Sequence, residues 1–170
     1  VDLFVSQRVY PFLEQMFQSK GELLINPFGS ARWYPNKEKA FYYDIIIIER
    51  FFNGLWKCDT ITDVLNQFDI TCNAIAVDIK SKELYDPQNG LRHLRMKELR
   101  AVRFDFPELV ISESVPLSRN SVLWFRYNYY AKYLGFTIEE ITKKWIDDNS
   151  FRIKDKAEFV KHFFNPESND

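Results

Sequence analysis

An aspartate stands inside a run of strand-forming residues, Phe41-Tyr42-Tyr43-Asp44-Ile45-Ile46-Ile47-Ile48. Aromatic and β-branched side chains at this density read as a strand, expected over Ala40 to Glu49. Ile45 to Ile48 reads as its buried part and falls far short of a membrane span. A carboxylate buried there without a partner would be expensive, so Asp44 needs an explanation. Three arrangements satisfy it. It can bind a metal ion, pair with a cation such as Arg50 on the same alternation face, or sit on an edge strand facing water.

The surrounding sequence supplies a sheet for that strand. Val1 to Val5 reads as a short strand. Val9, Phe12, Leu13, Met16 and Phe17 have helical spacing, which predicts a helix over Arg8 to Gln18, ended by Gly21. Leu23 to Ile25 and Ala31 to Tyr34 read as strands, separated by the turn residues Pro27-Phe28-Gly29-Ser30, and Pro35-Asn36-Lys37 forms the next turn. Thr60 to Gln67 is expected to be a short helix, with Thr60 and Asp63 as a capping box. Ala74 to Ile79 and Glu83 to Tyr85 read as a hairpin around Lys80-Ser81-Lys82. The second half is helical: Arg119 to Tyr133, stopped by Gly135, then a helix capped by Thr137 and running to about Asp147, then Asp155 to Phe164. The fold class is therefore mixed α/β, of the α+β kind.

At 170 residues the chain suits one domain, or a small domain with a helical extension. A 46% hydrophobic content with 17% aromatics is ample for a core. The formal net charge of −1 gives no global field to attract nucleic acid, though a local basic stripe is compatible with it. Cys58 and Cys72 make no disulfide framework and read as reduced thiols in a cytosolic protein. His93 and His162 are far apart, which argues against a zinc site. No signal peptide or membrane span is visible, so no membrane partner is expected.

The passage Phe68-Asp69-Ile70-Thr71-Cys72-Asn73-Ala74, continued by Asp86-Pro87-Gln88-Asn89-Gly90-Leu91, resembles the D-F-T-I-N-A…D-P-x-x-G-L passage of the tRNA CCA-adding enzyme and bacterial poly(A) polymerase family, whose members are polymerase-β-like nucleotidyltransferases. Leu94 and Leu99-Arg100-Ala101-Val102 continue the similarity. Phe28-Gly29-Ser30, followed by Asp44 and Arg50, is similar to the family's F-G-T and the acid-bearing strand that ends in Arg. Asp2 resembles the second Asp of the family's D-x-D. The first Asp and the Gly-rich turn are then expected just before Val1. The resemblance spans roughly Val1 to Thr137, and the order of its motifs is more specific than any one of them.

That resemblance implies a nucleotidyltransferase head of mixed sheet and helices over residues 1–110, lacking its N-terminal part. A helical neck-like extension would follow over 111–170. It implies Mg2+ or Mn2+ held by Asp2 and Asp44, which would also be the catalytic carboxylates. Nucleotidyl transfer uses metals to activate the attacking hydroxyl and steady the leaving pyrophosphate, and magnesium prefers oxygen ligands. Gly29, Ser30, Asp69, Asn73 and Arg126 would bind the nucleoside triphosphate. RNA would be the acceptor, in cytoplasmic tRNA processing.

Three departures bear on activity. Gln67 and Phe68 stand where the family has two arginines, and neither can fork onto phosphate. Aligned on Leu134-Gly135-Phe136, Asn120 replaces the base-reading Asp of the neck helix. Leu123, Arg126 and Tyr129 fall on its three Arg positions, so only Arg126 survives. The aromatic helix then offers either a stacking surface for bases or an ordinary packed core. Two rivals to nucleotidyl transfer onto RNA therefore stay open: a catalytically degenerate RNA-binding or protein-interaction module, and transfer to a non-RNA acceptor.

Overall fold

The computed structural model describes residues 1–25, 30–35 and 39–166. It divides into two compact units, Val1–Val64 and Leu65–Asp170. Each has a hydrophobic core of its own.

The first unit is a four-stranded sheet with one helix against it. Its strands are β1 (Asp2–Val5), β2 (Glu22–Ile25), β3 (Ala31–Tyr34) and β4 (Tyr43–Ile47), in the order β1-β4-β3-β2. β1 runs parallel to β4, while β3 is antiparallel to both of its neighbours. A parallel pair needs a crossover, and α1 (Tyr10–Lys20) lies in the connection that follows β1. Strand alternation then divides the side chains. Leu3, Val5, Leu23, Ala31, Trp33, Tyr43 and Ile45 turn toward α1, where Phe17, Ala31 and Ile45 form the buried centre. Phe17 also accepts a hydrogen bond at its carbonyl from Trp33 Nε1, 2.9 Å away. Gly21 is required where the helix gives way to β2, because a Cβ there would run into the Tyr34 carbonyl. The residues of opposite parity, Asp2, Arg32 and Asp44 among them, belong to the other face.

The expected strand over Ala40 to Glu49 is shorter than its composition suggests. Extended pairing begins at Tyr43, and after Ile47 the chain tightens into 3-10 turns within Ile48–Gly54, interrupted by non-helical backbone at Phe51, Phe52 and Asn53. The alternation that would have put Arg50 beside Asp44 ends there. Arg50 instead points its Nε at Gln7 Oε1, 3.4 Å away. α2 (Ile61–Leu65) begins with the expected capping box: Thr60 N donates to Asp63 Oδ2 at 2.8 Å and Asp63 N to Thr60 Oγ1 at 3.2 Å.

The second unit opens with the hairpin of β5 (Ala76–Val77) and β6 (Leu84–Tyr85), followed by α3 (Gly90–Met96) and β7 (Glu98–Leu99). A second hairpin, β8 (Val110–Ser112) and β9 (Val115–Ser118), leads into the long α4 (Arg119–Leu134). Ser118 caps α4 by accepting from Ser121 N, and Gly135 ends it in the left-handed region at φ 64°. β10 (Thr137–Ile138) pairs in parallel with β7, before α5 (Glu140–Asp148) and α6 (Lys156–His162). Thr137 does not cap the helix after it. Its backbone N–H is committed to Lys97 O, and Glu139 is the cap, its carboxylate accepting from Thr142 N at 2.9 Å. α4, β9 and α6 enclose a core of Val115, Leu117, Val122, Phe125 and Phe159.

Among the described residues, no helix is long and apolar enough to cross a membrane.

Candidate active site

Asp2 and Asp44 are register partners across the parallel β1–β4 pair. Partner residues on adjacent strands project from the same face, with backbones about 4.8 Å apart. The next strand continues the row, since Arg32 on β3 is the register partner of Asp44. Three charged residues therefore stand side by side across three strands, on the face away from α1. Asp2 is exposed and Asp44 half-buried.

Arg32 holds Asp44 through a two-point fork. Its Nε lies 2.7 Å from Oδ1 and its NH2 3.1 Å from Oδ2. The guanidinium carbon also sits 3.8 Å from the centre of the Tyr42 ring, a cation–π platform on the other side. Hydrogen bonding to Asp44 raises the Arg32 pKa, so the guanidinium keeps its charge across the ordinary pH range. The cation that offsets the cost of Asp44 is thus Arg32, from the neighbouring strand. It could have been suspected from the sequence, because Arg32 alternates with Ala31 and Trp33 and so lies on the opposite face from them. Only the strand register makes it the partner.

The donor chemistry of the row fits a hard divalent cation. Two carboxylates in register on adjacent strands are oxygen ligands of the kind magnesium takes when waters and phosphate oxygens complete its shell, though in this structure Arg32 occupies both oxygens of Asp44. Among the described residues, no group of three or more His, Cys, Asp or Glu side chains forms a ready metal cage. Gly29 lies outside the described residues. Ser30 is half-buried and immediately precedes β3.

In the second unit Asp69 gathers the remaining predicted residues. Its Oδ1 accepts from Ile70 N at 2.9 Å and from Asn73 Nδ2 at 2.8 Å, and its Oδ2 lies 2.7 Å from Arg126 NH2. The Asp69 side chain is only 11% exposed, against 30% for Arg126, so this ion pair is largely desolvated. Burial works against the Arg126 charge, yet Asp69 outweighs it and leaves the guanidinium pKa raised. Tyr127 is fully buried and donates to the Asp69 carbonyl at 3.2 Å. One cation near Asp69 escaped the sequence reading. Burial pushes Arg119 down to about 10, with Asp69 opposing and Arg126 reinforcing the shift. It still carries its charge at neutral pH.

Other matched residues are structural. The Asp86 carboxylate accepts from Gly90 N at 2.5 Å and Leu91 N at 3.1 Å, opening α3. Gly90 is needed because a Cβ would run into the Thr71 carbonyl. Asn120, at the base-reading position of the resemblance, is buried. Its Nδ2 donates to Phe106 O at 2.8 Å and to Glu108 Oε1 at 2.6 Å. Leu123 is also buried. The aromatic helix is core in part: Phe125 and Tyr127 are buried, Phe125 stacks on Phe159 with centroids 4.6 Å apart, and the half-buried Trp124 donates from Nε1 to Ile146 O at 2.9 Å, while Tyr133 is exposed.

No family model matches the chain, and no curated protein is similar enough in sequence to count as a match. Solved structures are similar. A Thermotoga maritima CCA-adding enzyme complexed with tRNA superposes with TM-score 0.67 at 19% identity, over 95% of this chain and 36% of that one. A tRNA nucleotidyltransferase complexed with a primer tRNA and an incoming ATP analog gives 0.68 at 19%, over 95% of this chain and 45% of that one. A CCA-adding enzyme bound to ATP gives 0.66 at 19%, over 95% and 36%.

The chain has the mixed α/β fold of the matched part of these enzymes. At this identity the likeness establishes fold alone. The chain spans between 36% and 45% of the length of the three structures.

Proposed function

We propose that the chain is a nucleotidyltransferase domain that transfers a nucleotide from a nucleoside triphosphate to a hydroxyl, with an RNA 3′ end as the acceptor. The observation that carries this reading is the in-register placement of Asp2 and Asp44 on the face of the sheet opposite α1. Asp2 and Asp44 would hold Mg2+ or Mn2+. When bound, the ion would lower the cost of deprotonating the attacking hydroxyl and of charge on the leaving pyrophosphate. The chain's own contribution is to fix both carboxylates on paired strands, so that little reorganisation is needed. Ser30 and Gly29 would let backbone approach the phosphates. Asp69, braced by Asn73 and Arg126, would position the nucleotide. Residues 1–110 would form the head and 111–170 the neck, working on tRNA in the cytoplasm.

A second reading is favoured by a specific observation. Both oxygens of Asp44 are taken by Arg32, and Asn120 and Leu123 are buried in the second unit. A degenerate member retained for binding RNA or protein would have such features.

The test is incubation with Mg2+, each labelled triphosphate and an RNA with a free 3′ hydroxyl, followed by gel analysis. Labelled RNA that disappears in Asp44→Asn supports the transferase reading. RNA binding without extension, unchanged in Asp44→Asn, supports the degenerate module. A label that enters protein or small molecules instead would move the acceptor outside RNA.

A further inference from the structure

Arg32 adds something that the two carboxylates alone do not explain. A metal-binding aspartate ordinarily keeps at least one oxygen directed at the ion. Here Oδ1 and Oδ2 of Asp44 are both engaged by one guanidinium, at 2.7 and 3.1 Å. The interaction is built from three sides: the strand register sets Arg32 opposite Asp44, the fork matches the carboxylate plane, and Tyr42 supports the guanidinium from its other face. Side-chain exposures of 29% for Arg32 and 22% for Asp44 place the pair between bulk water and a dry core. At that depth a unit charge a few ångströms from a ligand opposes a divalent ion appreciably.

We infer that Arg32 is an internal competitor for the divalent cation, occupying Asp44 and suppressing metal binding until the guanidinium leaves the carboxylate. This rests on the reading of Asp2 and Asp44 as metal ligands. Asp2 remains on the row as the second carboxylate, so freeing Asp44 would restore a two-carboxylate site. A guanidinium cannot lose its proton at working pH, so release requires movement of the side chain rather than titration.

The experiment is a Mn2+ titration without nucleotide, following loss of the free-ion electron paramagnetic resonance signal. Wild type, Arg32→Gln, Tyr42→Leu, Asp44→Asn and Arg32→Gln/Asp44→Asn are compared, with folding checked by circular dichroism. The expected result is weak Mn2+ binding by wild type and a gain on the order of tenfold to a hundredfold in Arg32→Gln. Tyr42→Leu, a milder change that keeps the guanidinium and removes its platform, should gain a few-fold in the same direction. The gain in Arg32→Gln should vanish in the double variant. Tight Mn2+ binding by wild type that Asp44→Asn abolishes would overturn the competitor role while upholding the metal-ligand reading. No gain in either folded variant would also overturn it. A gain through Asp44, with no transfer of any nucleotide by any variant, would uphold the competitor role and remove the transferase reading.

Discussion

Replacing Arg126 by Met should expose how much of the second unit depends on one ion pair. Methionine keeps most of the aliphatic volume but removes the charge that faces Asp69. The Asp69 carboxylate, 11% exposed, would keep its bonds from Ile70 N and Asn73 and lose its nearest cation, 2.7 Å away. Breaking a buried pair from one side costs about 3–5 kcal/mol, because the remaining charge is left in a poor solvent. The lower end applies here. Arg126 itself is 30% exposed, and Arg119 still contributes favourable charge near Asp69. A loss of about 3 kcal/mol corresponds to a fall of about 1.5 M in the urea midpoint, taking a slope of about 2 kcal/mol per M. The assay is urea unfolding by circular dichroism, with Asp69→Asn and the Asp69→Asn/Arg126→Met double variant closing a cycle. The double variant should be more stable than Arg126→Met alone, since no charge is then stranded. A loss below about 1 kcal/mol in Arg126→Met, the range of exposed pairs, would refute the claim that this pair is desolvated. Arg126 would then be free to serve a phosphate.

Phe159 is fully buried and stacked on Phe125, so Phe159→Ala should cost about 3–5 kcal/mol in the same unfolding assay. Hydrogen bonding from Arg152 holds the Glu108 carboxyl below its ordinary value. That contribution to stability is present above the unfolded-state pKa of 4.5 and is lost as pH falls through the depressed folded value. Urea midpoints measured between about pH 6 and 3 should therefore fall less steeply in Glu108→Gln than in wild type. Asn120 is committed to Phe106 and Glu108, and Leu123 has no hydrogen-bonding group, so a switch from C to A read by this helix should not operate. Supplying all four triphosphates and a tRNA lacking its CCA end should give no ordered C, C, A addition, and sequencing of the 3′ ends would show it.

The sequence by itself determined the types of many elements, though not of α3, β7, the β8–β9 hairpin or β10. β3 falls on the expected Ala31 to Tyr34, and α4 covers the expected aromatic helix with one more residue at its end. Gly135 stops α4 because it can take a left-handed backbone, and the Thr60–Asp63 box forms because both partners lie within one turn. These are local effects, and local sequence encodes them. Partner choice is not local. Asp44 was legible as a residue needing a cation, but Arg50 lies beyond the last extended residue, while Arg32 arrives from another strand through register. Thr137 has the chemistry of a cap, but pairing between β10 and β7 claims its backbone, leaving Glu139 to do it. The aromatic residues of α4 could have faced a ligand or a core, and the packing of α6 and β9 decided for the core at Phe125, while Tyr133 at the end of the helix stays exposed. The alignment of Asp2 beside Asp44 needed both levels: sequence supplied the two acids, and parallel pairing of strands with α1 between them in the chain set the acids side by side.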